Sequence, residues 1–333
     1  MRSWARLAAA GVSGSLALLL LHCGSRGATD GGDDVPLPNR VDAIDSAAMT
    51  TDATIPDAAA TVDARVASCD PSKPFGTPVR VADFDPNAAR STPRLSPDEL
   101  TIYFTSNGAD AGADLSMAVR SSTSMPFGGE KVLTQSTPSN DNDPMVSADQ
   151  LLLWFHSNRN GTADIFVATR VSASGPFGAA ATVPGIDQPT TNENHAYFRS
   201  AGSELWFISD RAGGAGGFDI YVAKRTGGAF AAPVRVVELS SAAQDWQPQP
   251  SEDGLTILFA SDRDGGTGKM DLWIAHRSSV TAPYGTPSAL TELNSPSVDQ
   301  AGWLSADGCR IWFSSGRATS DAVQQLFFAK RPL

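Results

Sequence analysis

Residues Ser251–Arg277 read SEDGLTILFASDRDGGTGKMDLWIAHR and contain the pattern on which most of the chain is built. The stretch opens with a Ser-x-Asp-Gly turn and continues into an apolar run, Leu255–Ala260. It breaks at the sequence SDR and a Gly-rich loop, then resumes as a second run, Asp271–Arg277. Two such runs joined by turn residues predict a β-hairpin.

The same pattern occurs four more times along the chain. Its opening serines are Ser96, Ser147, Ser200, Ser251 and Ser305. The spacing is 51 to 54 residues. A period of this length is typical of repeat proteins, in which each unit buries its faces by stacking on its neighbours.

Two further segments complete each repeat. One resembles PFGTPVRV at residues 74–81, follows the hairpin in the other units, and is interpreted as an outer strand. The other lies just before each opening serine, as at Trp246–Pro250, where two prolines fit only the edge of a sheet. Four strands per repeat predict an all-β propeller with five blades. Because the chain ends after the third strand of the last repeat, the N-terminal segment is expected to close the ring as its outer strand.

These repeats are similar to a known family. The motifs SPDE, SEDG and SADG precede apolar strands, SNR or SDR follows, and the next strand begins with DI or DL. This combination resembles the WD40-like propeller repeat of TolB-type periplasmic proteins, and it covers about residues 74–333. The resemblance implies a binding or scaffold role in the bacterial cell envelope. TolB-type propellers usually have six blades, so the five repeats depart from the family pattern.

The N-terminal fifth of the chain, residues 1–68, has a different composition. Residues 1–22 carry Arg2 and Arg6 before a stretch ending LALLLL, which predicts a signal peptide. The sequence LLHC at residues 20–23 resembles a bacterial lipobox, so Cys23 is the predicted lipidation site. Residues 23–68 are rich in Ala and Asp and predict a disordered tether. The propeller domain is then residues 69–333, and an exported, lipid-anchored envelope protein is expected.

Charge and cysteine content limit the partners. The net charge is −11, of which −8 falls on residues 69–333, so a nucleic-acid partner is not expected. Membrane contact is expected only through the lipid, and the protein is expected to be a monomer. Cys69 and Cys309 form an even pair, and export implies an oxidising compartment, so they are expected to form a disulfide that locks the ring.

The sequence contains no recognisable catalytic constellation. No G-x-S-x-G elbow occurs in the propeller, the histidines fall at different places in the repeat, and no Cys/His spacing suits a metal. No cofactor and no metal site are therefore predicted. Three arginine–aspartate pairs recur across the hairpin and are interpreted as structural. They are Arg159 with Asp164, Arg211 with Asp219, and Arg263 with Asp271.

The first residues of the innermost strands are the candidate binding site. Positions six and five residues before each opening serine should ring one mouth of the channel. The candidates are Arg90, Asp141, Asn194, His195, Asp245, Trp246 and Asp299. They predict either structural caps of loops or an acidic funnel with an aromatic platform, suited to a cation, a peptide or a sugar.

Two classes of function follow. The leading interpretation is a non-catalytic binding or scaffold lipoprotein, whose partner is an envelope protein or a cell-wall component. The alternative is a glycoside hydrolase or carbohydrate-binding protein, because five-bladed propellers also carry hydrolase sites built from carboxylates on different blades. The carboxylates available for that alternative are Asp143, Glu193, Asp245 and Asp299.

Overall fold

The computed structural model describes residues 69–107, 112–199, 202–320 and 323–333. The predicted signal peptide, the lipidation site Cys23 and the tether lie outside the described residues. The described chain forms the predicted all-β fold, in which five antiparallel sheets form the five blades of a propeller. No helix in this part of the chain has the length and apolarity needed to cross a membrane.

The first strand of the described residues, β1 (Val79–Arg80), belongs to the last blade. Blade I contains β2 (Arg90–Leu95), β3 (Thr101–Asn107), β4 (Ala113–Val119) and β5 (Gly128–Val132). Blade II contains β6 (Asp141–Val146), β7 (Leu152–Ser157), β8 (Asp164–Thr169) and β9 (Ala181–Thr182).

Blade III contains β10 (Glu193–Arg199), β11 (Glu204–Ser209), β12 (Asp219–Thr226), β13 (Ala229–Phe230) and β14 (Val234–Arg235). Blade IV contains β15 (Asp245–Pro250), β16 (Thr256–Ser261), β17 (Asp271–His276) and β18 (Ser288–Ala289). Blade V contains β19 (Asp299–Leu304), β20 (Arg310–Ser320) and β21 (Val323–Lys330), completed by β1.

The core lies between blades. The second strands carry fully buried phenylalanines, such as Phe155 and Phe259, which pack with residues of the adjoining blade. A sheet covered on both faces is apolar on both faces, which explains the continuous apolar runs in the sequence. The innermost strands of neighbouring blades lie side by side around the ring.

The N-terminal segment closes the ring, as the sequence predicts. Strand β1 pairs with β21 in the register Val79 to Phe328 and Arg80 to Phe327. Cys69 and Cys309 form the predicted disulfide, with their Cα atoms 5.6 Å apart. Residues 69–78, which precede β1, fold back toward the C-terminus, where the Arg331 guanidinium lies 4.0 Å from the ring centroid of Phe75. Covalent and strand contacts therefore join the two ends of the domain.

The turn between the first two strands recurs with one exception. In blade IV the Ser251 hydroxyl donates to Asp253 at 2.5 Å and accepts from the Thr256 amide at 3.0 Å. In blade III the pairing of Phe198 with Leu205 corresponds to that of Val146 with Leu153 in blade II. Arg199 therefore stands at the serine position of blade III, and the assignment of Ser200 as its opening serine is wrong by one residue.

The recurring arginines form ion pairs with carboxylates other than those predicted from the sequence. Arg159 pairs with Asp141, Arg211 with Glu193, and Arg263 with Asp245, each on the first strand of the same blade. Blade V has the same pair in Arg317 and Asp299. The aspartates of the third strand instead accept loop amides, as Asp271 does from Thr267 and Gly268. The interpretation of Arg159 with Asp164, Arg211 with Asp219 and Arg263 with Asp271 as pairs is therefore wrong.

Candidate functional site

The innermost strands carry a backbone irregularity at one repeated position. Register shifts interrupt their pairing with the second strands in all five blades. In four blades the residue at this position has a positive φ: Thr92 (51°), Asp143 (57°), His195 (53°) and Gln247 (54°). A bulge of this kind changes the direction of a side chain, and bulges are frequent near functional sites. Left-handed backbone at a non-glycine residue is uncommon, so four instances at one position define a feature of the fold.

Two of these positions bring a carboxylate and a histidine together. The Asp143 carboxylate, in blade II, contacts Nδ1 of His195, in blade III, and lies 3.0 Å from Nδ1 of His156 on the neighbouring strand β7. The two imidazole rings meet edge to face, with their centroids 5.3 Å apart. All three residues are buried. We call Asp143, His156 and His195 the histidine–aspartate cluster.

The protonation of the cluster is set by burial and by proximity. Burial raises the pKa of Asp143, but the adjacent His195 and His156 outweigh it and hold the pKa of this carboxyl well below its ordinary value. Burial lowers the pKa of His195, although the Asp143 carboxylate opposes the shift. At neutral pH the cluster therefore contains an ionised carboxylate and a neutral His195.

A polar pocket of about 240 Å³ borders the cluster. Its lining is Ala89, Ser91, Thr105, Ser106, Asn107, Ala113, Asn142, Gln300 and Gln324. The Thr105 hydroxyl accepts a hydrogen bond from the Asp143 amide at 2.9 Å, and Asn142 directly precedes Asp143. We call this cavity the mouth pocket. Its side chains are small or carry neutral amides and hydroxyls, so it offers hydrogen bonds rather than charge.

Further buried polar groups lie on the first strands. Within the described chain, Nε, Nη1 and Nη2 of Arg94 have no hydrogen-bond partner, and neither do Oε1 and Nε2 of Gln247. Burial lowers the pKa of Arg94 to about 10, although Asp143 opposes the shift. The guanidinium lies 5.6 Å from the ring centroid of Tyr197, which belongs to a different blade. Unpartnered donors inside a protein are costly, and they mark an interior suited to water or a polar ligand.

The predicted ring of acids is not a ring of free carboxylates. Asp141, Asp245 and Asp299 are fully buried, and each binds an arginine of its own blade. Each also accepts the backbone amide of the loop residue four positions earlier, as Asp245 does from Ser241 at 2.6 Å. This geometry favours the structural role, which the sequence left as one of two alternatives. The predicted preference of an acidic mouth for a cation therefore loses its basis at these positions.

The other predicted residues have separate environments. Arg90 binds Glu130 of the same blade at 2.7 Å. Asn194 does not occupy the position of Asp141, because blade III begins one residue earlier and Glu193 takes that place, paired with Ser209. His195 and Trp246 do come together, with ring centroids 5.6 Å apart. The fold thus places Trp246, the predicted aromatic platform, against the cluster.

The sequence predicts only part of the cluster. It places His195 among the candidates at the channel mouth and Asp143 among the carboxylates of the hydrolase alternative, but it does not predict that they meet, and it does not predict His156. One signal was available, because Asp143 and His195 are 52 residues apart, which is one repeat. Residues one repeat apart on first strands occupy equivalent positions of neighbouring blades, and such positions converge near the axis.

Comparisons with known proteins agree with the fold. No protein-family model matches the chain, and no curated protein matches it. TolB from Acinetobacter baumannii is 18% identical over 74% of this chain and 55% of that chain, with a TM-score of 0.43. This chain therefore spans about half the length of that TolB structure.

Glycoside hydrolases are similar to the same extent. A thermostable family-43 glycoside hydrolase is 13% identical over 76% of this chain and 91% of that chain, with a TM-score of 0.50. The α-L-arabinofuranosidase PaAbf62A from Podospora anserina, in complex with cellotriose, is 13% identical over 79% of this chain and 98% of that chain, with a TM-score of 0.49. The likeness to the family-43 hydrolase shows a shared fold and nothing further. These likenesses do not discriminate between a binding protein and a hydrolase.

Proposed function

We propose that this protein is a non-catalytic binding or scaffold protein of the bacterial cell envelope, and that it holds its partner at the mouth pocket. The envelope location rests on the N-terminal sequence, with its signal-type segment and its lipobox-type Cys23, and on the resemblance of the repeats to TolB-type proteins. The partner is an envelope protein or a cell-wall component. Binding at the pocket rests on its polar lining, in which the second residues of three innermost strands, Ser91, Asn142 and Gln300, come together.

The environment of the candidate carboxylates argues against a glycoside hydrolase. A glycoside hydrolase of the common type needs two carboxyl groups that face the same sugar, one as acid and one as base or nucleophile. Glu193, Asp245 and Asp299 are fully buried and bound by arginines. Asp143 alone remains of the four candidates, and two histidines surround it. A single carboxylate of this kind does not supply the pair.

The chemistry of the mouth pocket indicates the class of partner. Asn142, Gln300 and Gln324 present amides, and Ser91 presents a hydroxyl. Neutral donors and acceptors of this kind suit the hydroxyls of a glycan or the backbone of a peptide.

The proposal is tested by affinity capture from envelope extracts with the full chain as bait. Capture of a defined envelope protein or cell-wall fragment is expected, and Asn142→Ala and Gln300→Ala should each weaken it. Lys131→Ala, on the exposed outer strand β5, is the matched control and should not. Turnover of a glycan panel that is lost on Asp143→Asn would overturn the proposal in favour of a hydrolase. Unchanged capture by both pocket variants would place binding elsewhere on the propeller.

Anchoring requires a separate measurement. Metabolic labelling with a fatty-acid analogue should modify the chain, and Cys23→Ala should abolish the label. A chain that is exported but never labelled would contradict the lipid anchor and leave the rest of the proposal to the capture experiment.

A further inference from the structure

We propose that Asp143, His156 and His195 form a binding site for a divalent first-row transition-metal ion near the propeller axis, with Zn²⁺ as the ion that their donor set fits best. Each residue offers one ligand atom, and the three atoms lie within 4.8 Å of one another. This site does not depend on the proposed function, because it rests on the cluster and not on the partner of the mouth pocket.

The donor atoms are of the kind that such ions prefer. Two imidazole nitrogens and one carboxylate oxygen are a common set for Zn²⁺ and for Fe²⁺, whereas Mg²⁺ and Ca²⁺ favour oxygen alone. Bonds of about 2.0–2.2 Å from one ion to nitrogen and oxygen ligands require those ligands to lie roughly 3–4 Å apart. The distance of 3.0 Å between Asp143 Oδ2 and His156 Nδ1 is close to that range.

Hydrogen bonds within the cluster do not satisfy its atoms. The backbone N–H of His195 donates to His156 Nδ1 at 3.4 Å, which requires this nitrogen to carry a lone pair. The same nitrogen also faces Asp143 Oδ2, which is itself an acceptor. Asp143 Oδ2 also contacts His195 Nδ1, which can share one proton with it. The proton-free contact is therefore the one between Asp143 Oδ2 and His156 Nδ1, and two acceptors that face each other in this way are stabilised by a cation.

The fold holds the three ligands rigidly. Asp143 and His195 occupy the irregular positions of β6 and β10, where φ is 57° and 53°. His156 lies on β7, paired with Asn142 in the same blade. Strands position ligands more precisely than loops do, and the left-handed residues carry a conformational cost that a functional arrangement would explain.

Three protein ligands leave a position for a fourth. Closed structural zinc sites have four protein ligands, whereas sites that exchange a ligand have three. The mouth pocket adjoins the cluster through Thr105 and Asn142, and it can supply water or a group of a bound partner. The positive charge of Arg94 acts on Asp143 and opposes a cation. The competing explanation is therefore that Asp143 serves only as a counter-ion for Arg94.

The test uses the full chain, free of any affinity tag, stripped with a chelator and dialysed. Zn²⁺ is added, unbound ion is removed by gel filtration, and metal per chain is measured by mass spectrometry. We expect close to one equivalent, together with a rise in Tm of several degrees. Co²⁺ in place of Zn²⁺ should give visible absorption bands typical of imidazole and carboxylate ligation.

Variants distinguish the cluster from adventitious binding. His195→Ala and Asp143→Asn should each lose more than nine-tenths of the bound metal and the rise in Tm. His276→Ala removes a histidine from the third strand of blade IV and should retain both. Asp143→Asn keeps the shape of the side chain, so it remains informative if the alanine variant fails to fold. Absence of stoichiometric metal in the wild type, or metal retained by Asp143→Asn, would overturn the proposal.

Discussion

Arg263 donates from Nη2 to Asp245 Oδ1 at 2.5 Å, and this single guanidinium joins three parts of blade IV. Its Nε donates to the Ser261 hydroxyl at 3.0 Å, and Nη2 also donates to the Leu239 carbonyl at 2.6 Å. The guanidinium lies 4.8 Å from the ring centroid of Phe259. The arginine of the SDR motif therefore places its planar guanidinium over a core aromatic ring and links the first strand to the loop before it through hydrogen bonds.

Breaking this pair should destabilise the fold without removing a binding group. Asp245→Asn leaves Arg263 without its charge partner, and Arg263→Lys cannot reach the three acceptors of the fork. Asp245→Asn should lower the free energy of unfolding by about 3 kcal/mol, because a buried charge loses its partner. Arg263→Lys keeps the charge and should lower it less, because one ammonium cannot serve all three acceptors. Urea unfolding measures the change, with Lys131→Ala on the exposed strand β5 as control. Losses below about 0.5 kcal/mol would contradict the structural role.

A glycine is expected to stabilise the turn of blade II. Gln150 has φ 62°, and the equivalent turn of blade IV has Gly254 with φ 68°. The hydrogen bonds of the Gln150 turn use its backbone, including the carbonyl that accepts from Arg170 Nε. Gln150→Gly should therefore raise the free energy of unfolding by roughly 1 kcal/mol, since glycine adopts this region without strain.

The matched control for that turn is Gly254→Ala. A Cβ at this position would lie 2.8 Å from Nη1 of Arg199, and the backbone would keep its positive φ. The variant should lose about 1 kcal/mol. The Tm and the urea midpoint should therefore rise for Gln150→Gly and fall for Gly254→Ala. A shift of both variants in the same direction would contradict the prediction.

Asp187 predicts a specific pH dependence. Burial raises its pKa to about 7, even though the amides of Ile165 and Val183 donate to it and oppose the shift. An acid whose pKa rises on folding binds its proton more tightly in the folded chain. Its contribution to stability is therefore present at low pH and is lost as pH rises from about 4 to about 7.

Asp187→Asn should remove this loss. Asn294 already occupies the equivalent place before blade V and accepts the Leu272 amide at 2.8 Å, so the fold accommodates an asparagine there. Relative to wild type, the variant should gain stability as pH rises from 4 to 8, by on the order of 2 kcal/mol after discounting partial exposure. Urea unfolding at several pH values measures the difference. Asp264→Asn, in an exposed loop, should show no such trend.

The disulfide should contribute to stability through closure of the ring. Cys69 and Cys309 are separated by 240 residues, and loss of a bond that closes so long a loop costs about 2–5 kcal/mol. The double variant Cys69→Ser, Cys309→Ser should fold, because the pairing of β1 with β21 remains. It should unfold at lower urea and become insensitive to reducing agent. Two reactive thiols in the non-reduced wild-type protein would refute the bond.

The number of blades, the place where the ring closes and the pairing of Cys69 with Cys309 could all be predicted from the sequence alone. These properties follow from a repeat period and from alternating apolar and turn residues, which are local signals. The outer strand missing from the last repeat was available only at the N-terminus, so closure followed from counting. The two cysteines beyond Cys23 were already an even pair.

Tertiary structure decided which residues meet. The motif SDR recurs in the sequence, but its arginine pairs with an acid on the first strand and not with the acid on the third strand. In blade IV the Arg263 guanidinium can donate both to Asp245 on the first strand and to the Leu239 carbonyl in the loop before it. Glu193, and not Asn194, occupies the first position of β10, because blade III begins one residue earlier than the sequence predicts. A shift of one residue moves a side chain to the other face of the sheet. The meeting of Asp143, His156 and His195 depends on bulges and on the contact of neighbouring blades, and neither is encoded in the period of any single strand.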